Sequence, residues 1–341
     1  MSDGYRDILV VDLLGGIGDL LVLLPAVHGL ARRNPGARLR VLTHDPGADL
    51  LRADPAVAEV RTPRHGRPGA ERAAVVEALA AARPDLAVST TRYDGIAELL
   101  EAGAGRAVTN LWRDPPPQQP VGERYLEILR AEGLLGADGP PARPRVHLPG
   151  AARRAGERVV RRLVGEAPAP PVVLVTDAGM AVKRWPRRRW RALAGALARR
   201  GHPVLTAGAV DPGAPLGVPL PRADLPTLAG QFAAVGRRGG VVLGADTGPV
   251  RLAAAAGAAT VALFGPTHAR RYGMGGIDLQ GLPECVHRRP TAITEQPCWW
   301  EARCPLDAAG PACMADLDVA AVLAAVTAHR PLPAPADIDP R

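Results

Sequence analysis

Seven short runs of aliphatic and β-branched residues limit what this chain can fold into. They are DILVVDL (7–13), ARLRVLTH (37–44), DLAVST (85–90), VVLVT (172–176), HPVLTAG (202–208), GVVLGA (240–245) and ATVALFGP (259–266). Most are near-continuous apolar stretches, as expected of strands covered on both faces. Between them lie segments with helical character: 20–33, 71–83, 122–134, 186–201 and 225–237, with a last helix expected at about 316–328. The segment 186–201 opens on Pro186 and closes on Gly201, as helix start and stop signals require. Strands alternating with helices predict βαβ units, parallel sheets and the α/β class.

A length of 341 residues fits two domains of ordinary size. RDPPPQQP (113–120) is too rich in proline for regular structure, and GADGPPARPRVHLPG (136–150) reads as a linker. The expected division is an N-terminal Rossmann-like domain over 1–150, a second over 151–330, and a loose tail over 331–341. Tandem α/β domains offer a ligand the cleft between them, outside the carboxyl ends of the strands.

Hydrophobic residues make up 47% of the chain and charged ones 22%, so it is globular rather than disordered. Only 3% is aromatic, which leaves the cores to Leu, Val and Ala. The formal charge of +8 is scattered without interleaved aromatics, so nucleic acid is not an expected partner. The start, MSDGYRD, carries acids and leads into a strand rather than a signal sequence. No apolar stretch approaches the ~20 residues of a membrane span. A cytoplasmic protein with at most peripheral membrane contact is expected. The four cysteines, Cys285, Cys298, Cys304 and Cys313, lack CxxC spacing. They are expected to be free thiols, with a zinc site as the alternative.

Three segments carry candidate chemistry. The first is DLLGGIGDLLVLLPAV (12–27), a Gly-rich strand-to-helix turn. It fails as a dinucleotide fingerprint, because Leu21 stands where the third small residue belongs. Asp19 would repel a diphosphate, and His44-Asp45 gives a nicotinamide reading little support. Asp19, beside Gly16 and Gly18, suits proton abstraction from a hydroxyl, or simply caps the helix. The second is GADTGPVRLAAAAG (244–257), where Asp246, Thr247 and Gly248 open a helix. That is either an anion site to which Arg251 adds charge, or an ordinary capped turn. The third is GMAVKRWPRRRW (179–190), which holds Lys183, the only lysine in the chain. An ammonium and a guanidinium are not interchangeable at a phosphate. Lys183 and the turn at 246–248 could meet one diphosphate, with Asp211 of GAVDPG (208–213) near the ribose.

These segments, with GADTGPVRLAAAAGAATVALFGPT and the late CWWEARCPLDAAGPACM, occur in the order seen in glycosyltransferase family 9, which the chain resembles over about residues 8–328. That family comprises ADP-heptose:lipopolysaccharide heptosyltransferases. The resemblance implies a GT-B fold, an acceptor-binding N-terminal domain and a nucleotide-sugar-binding C-terminal domain. It implies inverting transfer with no metal and no cofactor beyond the donor, an ADP-heptose or related nucleotide sugar. By matching position, Asp19 is the base, Lys183 the phosphate lysine, and Asp246, Thr247 and Gly248 the donor turn. Asp211 matches a ribose contact less closely, since its loop departs from the family's Gly-Gly-x-x-Glu form. Thr267 lines the donor site or forms a strand-end turn. Arg251 stands where the family usually has His, and is expected either to grip the diphosphate instead or to alter the fit of the sugar. The acceptor is expected to be a small molecule or a glycolipid. An epimerase or a non-catalytic nucleotide-binding protein of the same fold is the alternative.

Overall fold

The computed structural model describes residues 4–64, 66–137, 143–208 and 215–328. Contacts divide the chain into Met1–His147 and Leu148–Arg341, against an expected boundary at 150. Each unit is an α/β layer structure.

The N-terminal unit runs β1 (Asp7–Asp12), α1 (Ile17–Arg33), β2 (Arg38–Thr43), α2 (Ala48–Leu51), β3 (Glu59–Arg61), α3 (Ala70–Ala81), β4 (Leu86–Ser89), α4 (Ile96–Gly103), β5 (Arg106–Val108) and α5 (Val121–Ala131). Its sheet has the order β3-β2-β1-β4-β5, all parallel. The helix expected at 20–33 begins three residues earlier, at Ile17. Gly16 is its N-cap and Asp19 lies in its first turn, so the GGIGD segment is only half a turn. Leu9, Val11, Leu42, Val75, Ala87, Ile96 and Leu100 pack as one buried cluster. Arg40 is buried in the strand β2 and is paid for by Asp7 at 2.5 Å and the carbonyls of Ala78 and Ala82, each at 2.9 Å. A buried charge survives only with such partners.

The C-terminal unit runs α6 (Gly150–Val164), β6 (Val172–Val175), α7 (Arg187–Arg199), β7 (Val204–Ala207), β8 (Val218–Pro219), α8 (Leu225–Arg237), β9 (Val241–Ala245), α9 (Gly248–Ala255), β10 (Ala259–Phe264), α10 (Ala269–Tyr272), β11 (Ile277–Gln280), α11 (Ala312–Asp316) and α12 (Val319–Ala328). The sheet order is β11-β10-β9-β6-β7-β8, again parallel throughout. One core of this unit joins β6, β9 and β10 to α7 and α12, with Trp185 and Trp190 in edge-to-face contact at 4.8 Å. The two phenylalanines of the chain, Phe232 and Phe264, are fully buried. Helices α6 and α8 cross with backbones touching: a Cβ on Gly230 would lie 2.3 Å from the carbonyl oxygen of Ala152.

All seven expected strands are interior strands. The four that the apolar runs did not reveal, β3, β5, β8 and β11, are the sheet edges. The expected tail at 331–341 and part of the linker lie outside the described residues.

Candidate active site

In an open parallel sheet the ligand crevice forms where strand order reverses, because the two crossovers diverge there. In the C-terminal unit that point lies between β6 and β9. Lys183 follows β6 in a single 3-10 turn (Ala181–Lys183), and Asp246-Thr247 follows β9. The two segments meet. Lys183 Nζ donates to Asp246 Oδ2 at 2.9 Å and to the Asp246 carbonyl at 3.1 Å. Arg251 Nη2 donates to Asp246 Oδ1 at 2.8 Å and to the Tyr272 carbonyl at 2.8 Å. Thr267 Oγ1 donates to Asp246 Oδ2 at 2.9 Å.

Asp246 is therefore the hub of the turn. Burial works against its charge, but Lys183 and Arg251, helped by hydrogen bonds from Lys183 and Thr267, hold its carboxyl below the usual range. Two cations around one carboxylate leave a surplus of positive charge. The N-terminus of α9 adds its partial positive charge and its first-turn amides. Thr247 is the N-cap, yet its hydroxyl makes no capping bond. That oxygen is buried without a hydrogen-bond partner among the described residues. Surplus charge, a helix N-terminus and an unsatisfied hydroxyl together suit an anion.

Lys183 is held from below as well. Its ammonium lies 5.5 Å from the centroid of Trp299, a cation–π distance. Trp299 packs with Val182 and Cys298 in a small buried cluster. Trp185, two residues on, donates its indole N–H to the Leu317 carbonyl at 2.9 Å. Asp278 on β11 sits nearby. Burial lifts its carboxyl to about 6, against the Met274 amide and the Arg251 charge, while Asp246 adds to the rise.

The N-terminal unit repeats the arrangement at its own reversal, between β1 and β4. The turn after β1 uses Gly15 at φ +95°, a left-handed conformation that glycine adopts without strain. Asp19 folds back over Gly16, where a Cβ would come within 2.7 Å of Asp19 Oδ2. Glycine at 16 is thus what leaves room for the carboxylate. Asp12 ends β1 and is 2% exposed. Thr90 Oγ1 donates to its Oδ1 at 2.6 Å. Burial pushes the Asp12 carboxyl up to about 7, against the Thr90 bond, and the charge of Asp19 adds to the rise.

The sequence profile described as glycosyltransferase family 9 (heptosyltransferase) matches residues 102–280, just over half of the chain. The chain belongs to glycosyltransferase family 9. In fold it is similar to the family 9 glycosyl transferase of Veillonella parvula DSM 2008, with TM-score 0.68 and 15% identity over 82% of this chain and 87% of that one. It is likewise similar to E. coli heptosyltransferase WaaC with ADP, with TM-score 0.60 and 20% identity over 85% and 98%. E. coli ADP-heptose lps heptosyltransferase II gives TM-score 0.63 and 16% identity over 94% and 98%. These are GT-B folds, the class to which the two parallel α/β units belong. No curated protein matches the chain in sequence.

Against this family background the expected residues sort as follows. Lys183, Asp246, Arg251 and Thr267 come together around one carboxylate, with Thr247 and Gly248 at the adjoining helix start. Arg251 is turned inward: at 6% exposure it grips Asp246 and the Tyr272 carbonyl. In this arrangement its guanidinium fixes the buried carboxylate of Asp246 and the Tyr272 carbonyl. Asp211 lies outside the described residues. Gly18 sits in the first turn of α1, and Gly15 rather than Gly16 or Gly18 bends the loop. The four cysteines are free thiols. Among the described residues no cluster of His, Cys, Asp or Glu is arranged to hold a metal. No helix among them is long and apolar enough to cross a membrane. A cavity of about 690 Å³ in the C-terminal unit lies beside the start of α7, lined by Thr176, Arg184, Arg188 and Trp190 rather than by the Asp246 turn.

Three residues escaped the sequence reading: Asp12, Thr90 and Trp299. Trp299 lay in a segment read for its cysteines, not for its tryptophans. Asp12 lay inside the expected strand DILVVDL and was not singled out. Thr90 lies 78 residues from Asp12 in sequence, and only the parallel pairing of β1 with β4 brings them together.

Proposed function

We propose that this family 9 glycosyltransferase moves a heptose, or a related sugar, from an ADP-sugar to a hydroxyl or amine of a small-molecule or glycolipid acceptor. The observation that carries the reading is the positively charged turn at the β6/β9 reversal, with its unsatisfied Thr247 hydroxyl. Transfer proceeds with inversion and without a metal. The donor diphosphate lies against the start of α9, where Thr247 and the Gly248 amide donate to it. Lys183, now shared with Asp246, adds its charge. As the glycosidic bond breaks, negative charge grows on the leaving diphosphate, and these fixed donors stabilise it. Asp19 takes the proton of the acceptor, which attacks the anomeric carbon on the face opposite the leaving group. A positioned base contributes typically ~10²–10⁴-fold. The four free thiols accord with work in the reducing cytoplasm.

Asp19→Ala is expected to lower turnover by about 10²-fold or more while leaving donor affinity nearly intact; turnover within threefold of the parent would remove Asp19 from the mechanism. The reaction itself is tested with ADP-heptose and a panel of acceptors. ADP release that depends on acceptor supports transfer. Interconversion of the sugar without acceptor indicates an epimerase, and binding without turnover a nucleotide-binding protein.

A further inference from the structure

The cavity of about 690 Å³ in the C-terminal unit lies apart from the turn that carries the transfer reading. Helix α7 joins β6 to β7 and α9 joins β9 to β10, two crossovers that run in opposite directions along the sheet. Right-handed crossovers of opposite direction put their helices on opposite faces. The cavity opens on the α7 face. Side chains alternate along a strand, and Val204 of β7 packs against the core beneath α7. Thr206, two residues further along β7, points to that same face, and it lines the cavity together with Trp190 of α7. Trp190 and Thr206 are only 2% and 5% exposed. Yet neither the Trp190 indole nitrogen nor the Thr206 hydroxyl has a hydrogen-bond partner among the described residues. Buried polar atoms are nearly always paired, so two orphans on one cavity point to a ligand's polar atoms as their partners.

The lining is cationic. Arg184, Arg187 and Arg188 stand against Asp177 and Asp307. Arg184 is paired with Asp177 at 3.3 Å, whereas Arg188 makes no ion pair among the described residues. Arg187 and Arg188 open α7, a 13-residue helix with no acid in its first turn and, in Pro186, an N-cap without a side-chain acceptor. The helix N-terminus adds its own partial positive charge. Trp185 and Trp190 pack edge to face at 4.8 Å and are almost fully buried, so neither offers an open ring on which a nucleobase could stack. An indole N–H only donates, and a threonine hydroxyl donates or accepts, which suits the oxygens of a polyol. The volume falls within the ~300–1,000 Å³ of small-molecule sites. We propose that this cavity is a second ligand site, which takes a sugar phosphate. The phosphate lies on Arg188 and the start of α7, and the sugar hydroxyls meet Trp190 Nε1 and Thr206 Oγ1. The segment 177–186 divides this site from the donor turn: it sends Lys183 to Asp246, and Asp177 and Arg184 to the cavity. The site stands whether or not the chain transfers a heptose.

The test is calorimetric titration of the full chain, with and without saturating ADP, using glucose 6-phosphate and ribose 5-phosphate, and glucose and inorganic phosphate as the separate halves. At least one sugar phosphate is expected to bind equally well in the presence and absence of ADP, and at least tenfold more tightly than either half. Arg188→Gln, which removes an exposed charge, is expected to weaken it about tenfold or more, the loss of one charge-assisted contact. Thr206→Val, which keeps the shape and removes the hydroxyl, is expected to weaken it about threefold or more. In a ¹H–¹⁵N spectrum the Trp190 indole N–H, assigned by its loss in Trp190→Phe, should move downfield as ligand is added, while that of Trp112 in the N-terminal unit stays in place. Neither sugar phosphate binding, or binding that ignores both Arg188→Gln and Thr206→Val, overturns the site. Inorganic phosphate binding as tightly as the sugar phosphates overturns the sugar half of the assignment, and displacement by ADP makes the cavity part of the donor site rather than a second one. Sugar phosphate binding to a protein that takes no ADP leaves this site standing and counts against the transfer reading instead.

Discussion

Asp246 spends every polar atom of its side chain on Lys183, Arg251 and Thr267. Replacing it with alanine leaves two cations facing each other in a buried site. Breaking a buried pair in this way costs about 3–5 kcal/mol, and urea unfolding of Asp246→Ala should show a loss of that order. A loss below about 1 kcal/mol, the range of exposed ion pairs, would mean that the cluster is solvated. The two buried aspartates also differ in their linkage to pH. Asp246 is held below its ordinary value, so its contribution is present above that value and is lost as pH falls through the folded one. Asp12 is raised from 3.8 to about 7, so the folded state binds the extra proton between those values. Its contribution is full at low pH and declines as pH rises to about 7, by up to about 4 kcal/mol. Asp12→Asn should therefore narrow the difference in Tm between pH 5 and pH 8. An unchanged difference would show that Asp12 titrates alike in the folded and unfolded chain.

At the scale of elements, the helix pair α6/α8 rests on glycine. A Cβ on Gly156 would lie 2.1 Å from the carbonyl carbon of Gly230, and one on Gly230 would strike the Ala152 carbonyl. Both obstacles are backbone, so neither can rotate away. Gly230→Ala should destabilise by about 1–3 kcal/mol, the cost of overpacking, despite the better helix propensity of alanine. Equal or greater stability by thermal unfolding would mean that the helices can separate freely. The strands show what a sequence can disclose. Interior strands β1, β2, β4, β6, β7, β9 and β10 are each covered on two faces and paired on both edges, which demands the apolar runs that announced them. Edge strands carry no such demand. β3 is half-buried, and β8 is an exposed two-residue pair containing Pro219. Proline fits an edge because no ladder hydrogen bond is needed from it there. Hence both margins of both sheets stayed hidden.

At the scale of the molecule, each unit brings polar side chains together where its strand order reverses: Asp12 and Thr90 between β1 and β4, Lys183 and Asp246 between β6 and β9. The half of each site that lies in one turn was legible, since glycines, a lone lysine and an Asp-Thr-Gly at a helix start are local signals. The partners supplied by distant segments, Thr90 and Trp299, were not, because only parallel pairing and packing bring them in. Arg251 was legible as a charge but not as an inward-facing one. Its direction depends on a buried carboxylate and on the Tyr272 carbonyl 21 residues away. The central claim is that Lys183 and the Asp246-Thr247-Gly248 turn form the seat of a nucleoside diphosphate. Calorimetric titration of ADP into the parent and into Lys183→Ala tests it most directly. The expected result is measurable binding to the parent and at least tenfold weaker binding to the variant, the loss of one charge-assisted contact of about 1.5–3 kcal/mol. Equal affinity in the two proteins would contradict it.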